Sequence, residues 1–125
     1  MATGFPVLAG DEQGAAVYND ETSSPTTVIT RKSVPAGASY VELGLFPSTN
    51  SAPTAKFLFV VVNAASDSEE DFLIATPSAR ICIPVGEMQR IMFPESDPCT
   101  RYAFASDAAT ESVGTKCIQR VGGLV

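Results

Sequence analysis

The fold is decided by residues 56–63, which read KFLFVVVN and place six consecutive apolar side chains between a lysine and an asparagine. This run is too short and too rich in β-branched residues to favour a helix. A continuous apolar run of this length is typical of a strand that is covered on both faces. We therefore expect residues 56–63 to form the central strand of a sheet.

Segments on both sides of this strand alternate apolar and polar residues, which is the period of two that a half-buried strand requires. In residues 39–46, Val41, Leu43 and Leu45 fall on one face, and Glu42 and Gly44 fall on the other. The same reasoning predicts further strands at residues 87–93, 101–106 and 112–121. Two short runs at residues 71–76 and 80–83, split by Pro77, predict either two neighbouring strands or one bent strand. In residues 101–106 the large side chains occupy one face and alanines the other, and in residues 112–121 the cations face outward.

Turn-forming residues divide the chain into short pieces. Nine prolines and nine glycines are spread through 125 residues, and the resulting pieces are too short for most helices. A helix is predicted only within residues 106–112, behind a serine cap. The sequence therefore predicts an all-β fold, an antiparallel β-sandwich formed by residues 26–125 as one domain. Residues 1–25, polar and rich in glycine, are expected to form an irregular N-terminal arm or edge segment.

Composition and charge argue against most kinds of site chemistry. The 13.1 kDa chain carries a net charge of -6, has a sequence pI of about 4.4, and contains no histidine and no tryptophan. Its eight cations are scattered, which does not favour nucleic-acid binding. No nucleophile motif, phosphate-binding loop or paired catalytic carboxylates can be recognised, and Glu42 and Glu87 are isolated. We expect no catalytic, cofactor-binding or metal-binding residues, no enzymatic activity and no small-molecule substrate.

The cysteines do not suggest a metal site. Cys82, Cys99 and Cys117 form no CxxC pair, and no histidine completes a tetrahedral set. We expect all three to be small buried side chains in a reducing compartment. A disulfide that joins Cys99 to either Cys82 or Cys117 stays open as an alternative.

The acidic stretch at residues 66–71, SDSEED, is one of the two most polar interior stretches, and the other is residues 47–53. Both are predicted to lie at the tips of hairpins. The carboxylates at 66–71 could supply oxygen ligands to a calcium ion, although the stretch lacks the spacing of a calcium-binding loop. A solvated loop tip is the preferred interpretation.

The amino-terminal residues give no sign of targeting. Residues 1–6 contain neither a basic region nor an apolar stretch like that of a signal peptide. The apolar runs of the chain are also shorter than the roughly 18 residues of a membrane span. We expect synthesis in a host cytoplasm and no membrane partner.

Four stretches together resemble a pattern of small structural proteins of tailed bacteriophages. They read FLFVVVNAASDSEEDFLIAT (57–76), RICIPVGEMQRIMFP (80–94), TRYAFAS (100–106) and TKCIQRV (115–121). In that pattern a strand ends in a Pro/Gly/Glu turn, an alternating strand and a Tyr-Ala strand follow, and a last strand closes the sandwich. The chain is most similar to head decoration or cement proteins, and the resemblance implies a jelly-roll-like sandwich.

The resemblance also implies a function and partners. The chain would be a non-enzymatic virion protein that binds and stabilises the assembled capsid, with the major capsid protein and copies of itself, as a dimer or trimer, as partners. Residues 1–25 or 47–53 would then carry much of the contact with neighbours. Two alternatives are a tail or neck adaptor of the virion and a carbohydrate-binding module. The second usually needs exposed aromatic rings, and this chain has only three tyrosines.

Overall fold

The computed structural model describes residues 18–23, 27–35, 37–47, 55–93, 100–107 and 115–123. These residues form eight strands and one helix. In chain order they are β1 (Tyr18–Ser23), β2 (Thr30–Ser33), β3 (Tyr40–Pro47), β4 (Phe57–Val62), α1 (Asp67–Ile74), β5 (Ile81–Pro84), β6 (Met88–Met92), β7 (Arg101–Ser106) and β8 (Thr115–Gly122).

The strands form two four-stranded antiparallel sheets. Sheet A has the strand order β1-β8-β3-β6, and sheet B has the order β2-β7-β4-β5. Strand β1 pairs with β8, β2 with β7, β3 with β6 and β4 with β5. The chain is therefore one long antiparallel ribbon folded over on itself, which is the topology of a jelly roll. The predicted all-β antiparallel sandwich, jelly-roll-like in its topology, is confirmed.

The core lies between the two sheets and contains the residues that the alternation placed there. Val41, Leu43 and Leu45 from sheet A are fully buried, and so are Tyr102 and Phe104 from sheet B. The rings of Tyr102 and Phe104 stack with their centroids 6.3 Å apart. Each large side chain buried in this way contributes about 1.5–3 kcal/mol through the hydrophobic effect.

Strand β4 is covered on both faces, as its apolar run predicts. Leu58 and Val60 pack in the core between the sheets, whereas Val61 packs beneath α1 in a second apolar cluster. Ala103 and Ala105 of the neighbouring strand β7 belong to that second cluster. The alanines on one face of β7 thus leave room for the helix to lie against sheet B.

Two predictions for the region of helix α1 were wrong. Residues 66–71 were expected at a hairpin tip and residues 71–76 in a strand, but Asp67–Ile74 form a helix. The side chain of Ser66 caps the helix by accepting a hydrogen bond from the Glu69 N–H. The Glu69 carboxylate accepts one from the Ala65 N–H, so the S-x-x-E pattern acts much like a capping box. The acidic first turn also interacts favourably with the positive end of the helix dipole.

Several predictions concern segments that the structure describes only in part. Residues 18–23 form β1, the edge strand of sheet A, whereas the remainder of the expected arm lies outside the described residues. The loop expected at 47–53 and the helix expected within 106–112 lie mostly outside them as well. The division of the chain after residue 25 stays a prediction.

The cysteines are not all buried. Cys117 is fully buried in the core, but Cys82 is exposed, and neither forms a disulfide with a described residue. The expectation for Cys82 was wrong because β5 is the edge strand of sheet B and Cys82 alternates there with the buried Ile83. Cys99 lies outside the described residues.

Replacing Thr115 by valine is expected to stabilise the protein by about 1 kcal/mol. The Thr115 hydroxyl is buried in β8 and has no hydrogen-bond partner among the described residues, whereas valine has nearly the same shape without a polar atom to desolvate. Urea denaturation measures the change. Thr76→Val is the matched control, because the Thr76 hydroxyl donates to the Phe72 carbonyl at 2.7 Å, and that variant should gain nothing. An equal gain in both variants would contradict the explanation.

Candidate functional site

The outer face of sheet B is closed by α1, which an ionic network attaches to the sheet. Glu70 on α1 is fully buried. Its carboxylate accepts hydrogen bonds from Arg31 Nε at 2.9 Å, from Arg101 Nε at 2.8 Å and from a second Arg101 nitrogen at 2.9 Å. Asp71 accepts from Arg31, and Asp67 accepts from Arg101. Strands β2 and β7 therefore hold the helix through two arginines and three carboxylates.

This network changes the proton affinities of its exposed members. The hydrogen bond from Arg101 is the main cause that lowers the pKa of the Asp67 carboxyl below its usual value. Desolvation opposes it, and the charges of Arg31 and Arg101 lower the pKa further. Hydrogen bonds to Glu70 and Asp67 raise the pKa of the Arg101 guanidinium. Both shifts favour the charged forms of Asp67 and Arg101, so these two residues form an ion pair at neutral pH.

We expect Asp67→Asn to reduce the loss of stability in acid. Because the folded-state pKa of Asp67 is lowered, its contribution is complete above the unfolded-state value, about 3.9. The contribution is lost as the pH falls through the folded-state pKa. Urea midpoints measured at about pH 6 and about pH 3 should therefore differ less in Asp67→Asn than in the wild type. Glu87→Gln removes an exposed carboxylate elsewhere and should leave the difference unchanged. The prediction is wrong if both variants behave alike.

A cleft of about 360 Å³ lies beside the network and is lined by Arg31, Lys32, Ser33, Thr100 and Arg101. Basic side chains of this kind also line sites that bind phosphate. However, both arginines direct their guanidinium groups to the carboxylates of α1. Most of the positive charge at the cleft is therefore compensated within the chain, which does not favour anion binding.

The outer face of sheet A carries the second charged group of the fold. Glu42 lies opposite Arg90 of β6 and Arg120 of β8 in the strand register. Its carboxylate oxygens lie 3.6 Å from Arg90 Nε and 3.1 Å from an Arg120 nitrogen. Both arginines are about half exposed, and with Lys116 they give strands β3, β6 and β8 an outward excess of positive charge. This excess contrasts with the net charge of -6 of the whole chain.

Apolar side chains surround these charges on the same face. The Arg90 guanidinium lies 4.0 Å from the centroid of the Tyr40 ring. Met92 is 62% exposed, and Met88 is 36% exposed. The Met88 sulfur lies over Gly44, where an added Cβ would meet it at 2.6 Å and the Glu87 carbonyl oxygen at 2.5 Å. The result is an amphipathic surface on one side of the sandwich.

We call this surface the sheet A face and define it by Tyr40, Glu42, Met88, Arg90, Met92 and Arg120. Sequence reasoning did not find it, because its members come from three strands and meet only in the observed register. The alternation of each strand was the available signal, since it marks which residues face outward. Methionines suit such a surface because their unbranched, polarisable side chains adapt to different partners.

Other candidates from the sequence do not form sites in the described part of the chain. Asp67, Glu70 and Asp71 face arginines, and no group of three or more potential metal ligands is found among the described residues. Glu42 is engaged by two arginines, and Glu87 is exposed directly before β6. Tyr102 is in the core, and Arg90 lies over the Tyr40 ring, so neither ring presents a free stacking surface. Within the described ranges, no helix has the length and apolarity needed to cross a membrane.

The fold and its surfaces define a jelly-roll sandwich in which a helix covers one outer face, whereas none of the described elements covers the other. The chain matches no known protein family and no curated protein sequence.

Solved structures are similar to it only distantly. A structure of Bacillus endospore appendages, described as disulfide-linked pili, is 12% identical with a TM-score of 0.41, and the match covers 98% of this chain and all of that one. The capsid asymmetric unit of cyanophage Pam1 is 22% identical with a TM-score of 0.42, over 99% of each chain. A desmodium yellow mottle tymovirus structure is 13% identical with a TM-score of 0.44, over 100% of this chain and 97% of that one. At these identities and scores, none of the three assigns a function to this chain.

Proposed function

We propose that this chain is a non-enzymatic structural protein of a bacteriophage virion that binds and stabilises the assembled capsid. The proposal combines the resemblance of residues 57–121 to small phage structural proteins with the jelly-roll topology, an architecture that viral capsid domains share with lectins and cupins. Because one fold serves many functions, the topology alone does not decide between them.

The observation that carries the proposal is the difference between the two outer faces of the sandwich. Sheet B is sealed by α1, whose network uses three carboxylates and two arginines within the chain. Sheet A exposes methionines and half-exposed arginines beside one another. A surface that no described element covers, and that combines adaptable apolar groups with arginine, has the composition of a protein–protein interface.

The mechanism we propose is binding linkage. A protein that binds only the assembled shell stabilises that state by RT ln(1 + [L]/Kd) for each site, which is about 2.7 kcal/mol at a concentration 100 times Kd. The major capsid protein is the partner in this proposal, and the chain is made in the host cytoplasm before it joins the virion. Neither a cofactor nor a chemical step is required.

Heat challenge of particles that lack the chain tests this mechanism. Particles assembled without it should release their genome at a lower temperature than wild-type particles, and purified chain added back should restore the difference. The same concentration of Met92→Glu protein is the matched control, because it changes an exposed residue of the sheet A face and should restore less. The proposal is overturned if added wild-type chain neither binds the particles nor changes the release temperature.

A further inference from the structure

The exposed side of α1 carries an aromatic ring and carboxylates, whereas the sheet A face carries methionines and arginines. Phe72 on this helix is 66% exposed. Asp67, Glu69 and Asp71 of the same helix are exposed as well. The carboxylates of Asp67 and Asp71 are paired with arginines, yet their side chains are 68% and 63% exposed. An exposed aromatic ring within an acidic surface is complementary to methionines beside arginines.

The two surfaces lie on opposite sides of one molecule. The sheet A face is the outer face of one layer, and α1 covers the outer face of the other. The two surfaces of one molecule therefore cannot meet, whereas those of two copies can.

We infer that copies of this chain associate head to tail, with the sheet A face of one copy seated on the exposed side of α1 of the next. Phe72 would contact Met88 and Met92, where thioether–aromatic contacts are favourable. Arg90 and Arg120 would approach the acidic residues of the helix. The contact is heterologous, so each copy uses two different surfaces and successive copies form a ring or an open row.

Charge favours this arrangement over a two-fold contact between identical faces. Two sheet A faces would bring together two surfaces with excess positive charge among their described side chains, and two α1 surfaces would bring together acidic ones. Like charges placed opposite each other disfavour such pairs, whereas the mixed pair is complementary. The inference deepens the proposed function, on which it rests for its setting in a virion.

Sedimentation velocity of the purified chain, over a concentration series, tests the inference. Wild-type protein should associate, and added salt should weaken the association because surface charges are screened. Met92→Glu, which puts a carboxylate opposite an acidic surface, and Phe72→Ser, which removes the aromatic ring, should each weaken association by at least about tenfold. Val28→Glu is the matched control, because Val28 is 74% exposed and belongs to neither surface. It should associate like the wild type.

Mixing the two defective variants is the decisive step. Met92→Glu keeps an intact α1 surface and Phe72→Ser keeps an intact sheet A face, so an equimolar mixture should form heterodimers although each variant alone stays monomeric. Circular dichroism confirms that both fold, and Met92→Ser replaces Met92→Glu if that variant does not. The inference is overturned if the wild type is monomeric throughout, if either variant alone associates normally, or if the mixture does not pair. Whether the chain binds particles is tested separately by adding wild-type chain in the heat challenge, and that result does not depend on the Met92→Glu variant.

Discussion

Glu70→Gln should lower the free energy of unfolding by about 2–3 kcal/mol, measured by urea denaturation at neutral pH. Glutamine has the shape of glutamate but can accept only at its carbonyl oxygen, and it carries no charge. Arg31 and Arg101 would then lose the buried carboxylate that both of them bind. The full cost of breaking a buried pair, about 3–5 kcal/mol, is not expected because both arginines are partly exposed and can turn toward water.

Glu69→Gln is the matched control for this effect. Glu69 precedes Glu70 in the helix and is exposed, and a glutamine oxygen can still accept the hydrogen bond from the Ala65 N–H. Its effect should stay within about 0.5 kcal/mol. Equal losses in the two variants would show that the change acts through helix propensity, and the network would then have no special part in holding α1.

The largest loss is expected from Phe104→Ala, at about 3–5 kcal/mol. Phe104 is fully buried on β7 and stacks on Tyr102 in the core. Truncation removes its burial and leaves a cavity that the strands of both sheets can fill only in part. A shift of the urea midpoint with an unchanged slope would report this loss in a protein that still unfolds in one step.

Phe72→Ala provides the comparison at an exposed phenylalanine. Phe72 is 66% exposed on α1, so its truncation should change stability by no more than about 0.5 kcal/mol. The pair of variants separates a residue that holds the fold from one that is free to contact a partner. A loss at Phe72 as large as that at Phe104 would contradict both assignments.

The strands were predictable because burial imposes a period on them. Residues 39–46 and 112–121 each place one face in the core. The bounds of the observed β3 and β8 differ from the expected ones by one to three residues. Residues 56–63 were predictable for the opposite reason, since a strand between a core and a helix has no polar face. Periodicity does not specify which strands pair. The jelly-roll-like arrangement was therefore predicted from the resemblance to phage structural proteins.

Helix α1 was missed because its buried face contains a charge. Glu70 occupies the position where a 3.6-residue period requires an apolar side chain, together with Leu73 and Ile74. The partners that make this burial possible, Arg31 and Arg101, are 39 and 31 residues away in the chain. The pattern Ser66-x-x-Glu69 is a local signal of a helix start. The prediction did not use it and took these acidic residues as a solvated hairpin tip.

The sheet A face could be predicted only residue by residue. Alternation placed Glu42 and Arg90 outward on their strands, but it did not indicate that they face each other. That contact depends on the register between β3 and β6, which cross-strand hydrogen bonds set. The small Gly44 beneath Met88 is a second example, since nothing near it in the sequence indicates the close approach of β6.

The copy number of the chain in purified virions tests the proposed function most directly. If the proposal is right, the chain is present in purified phage particles, and quantitative mass spectrometry measures its amount there against the major capsid protein. A capsid-stabilising protein should be present in many copies that scale with the capsid protein. A fixed low number would point to a tail or neck adaptor, and its absence from the particles would contradict a virion role altogether.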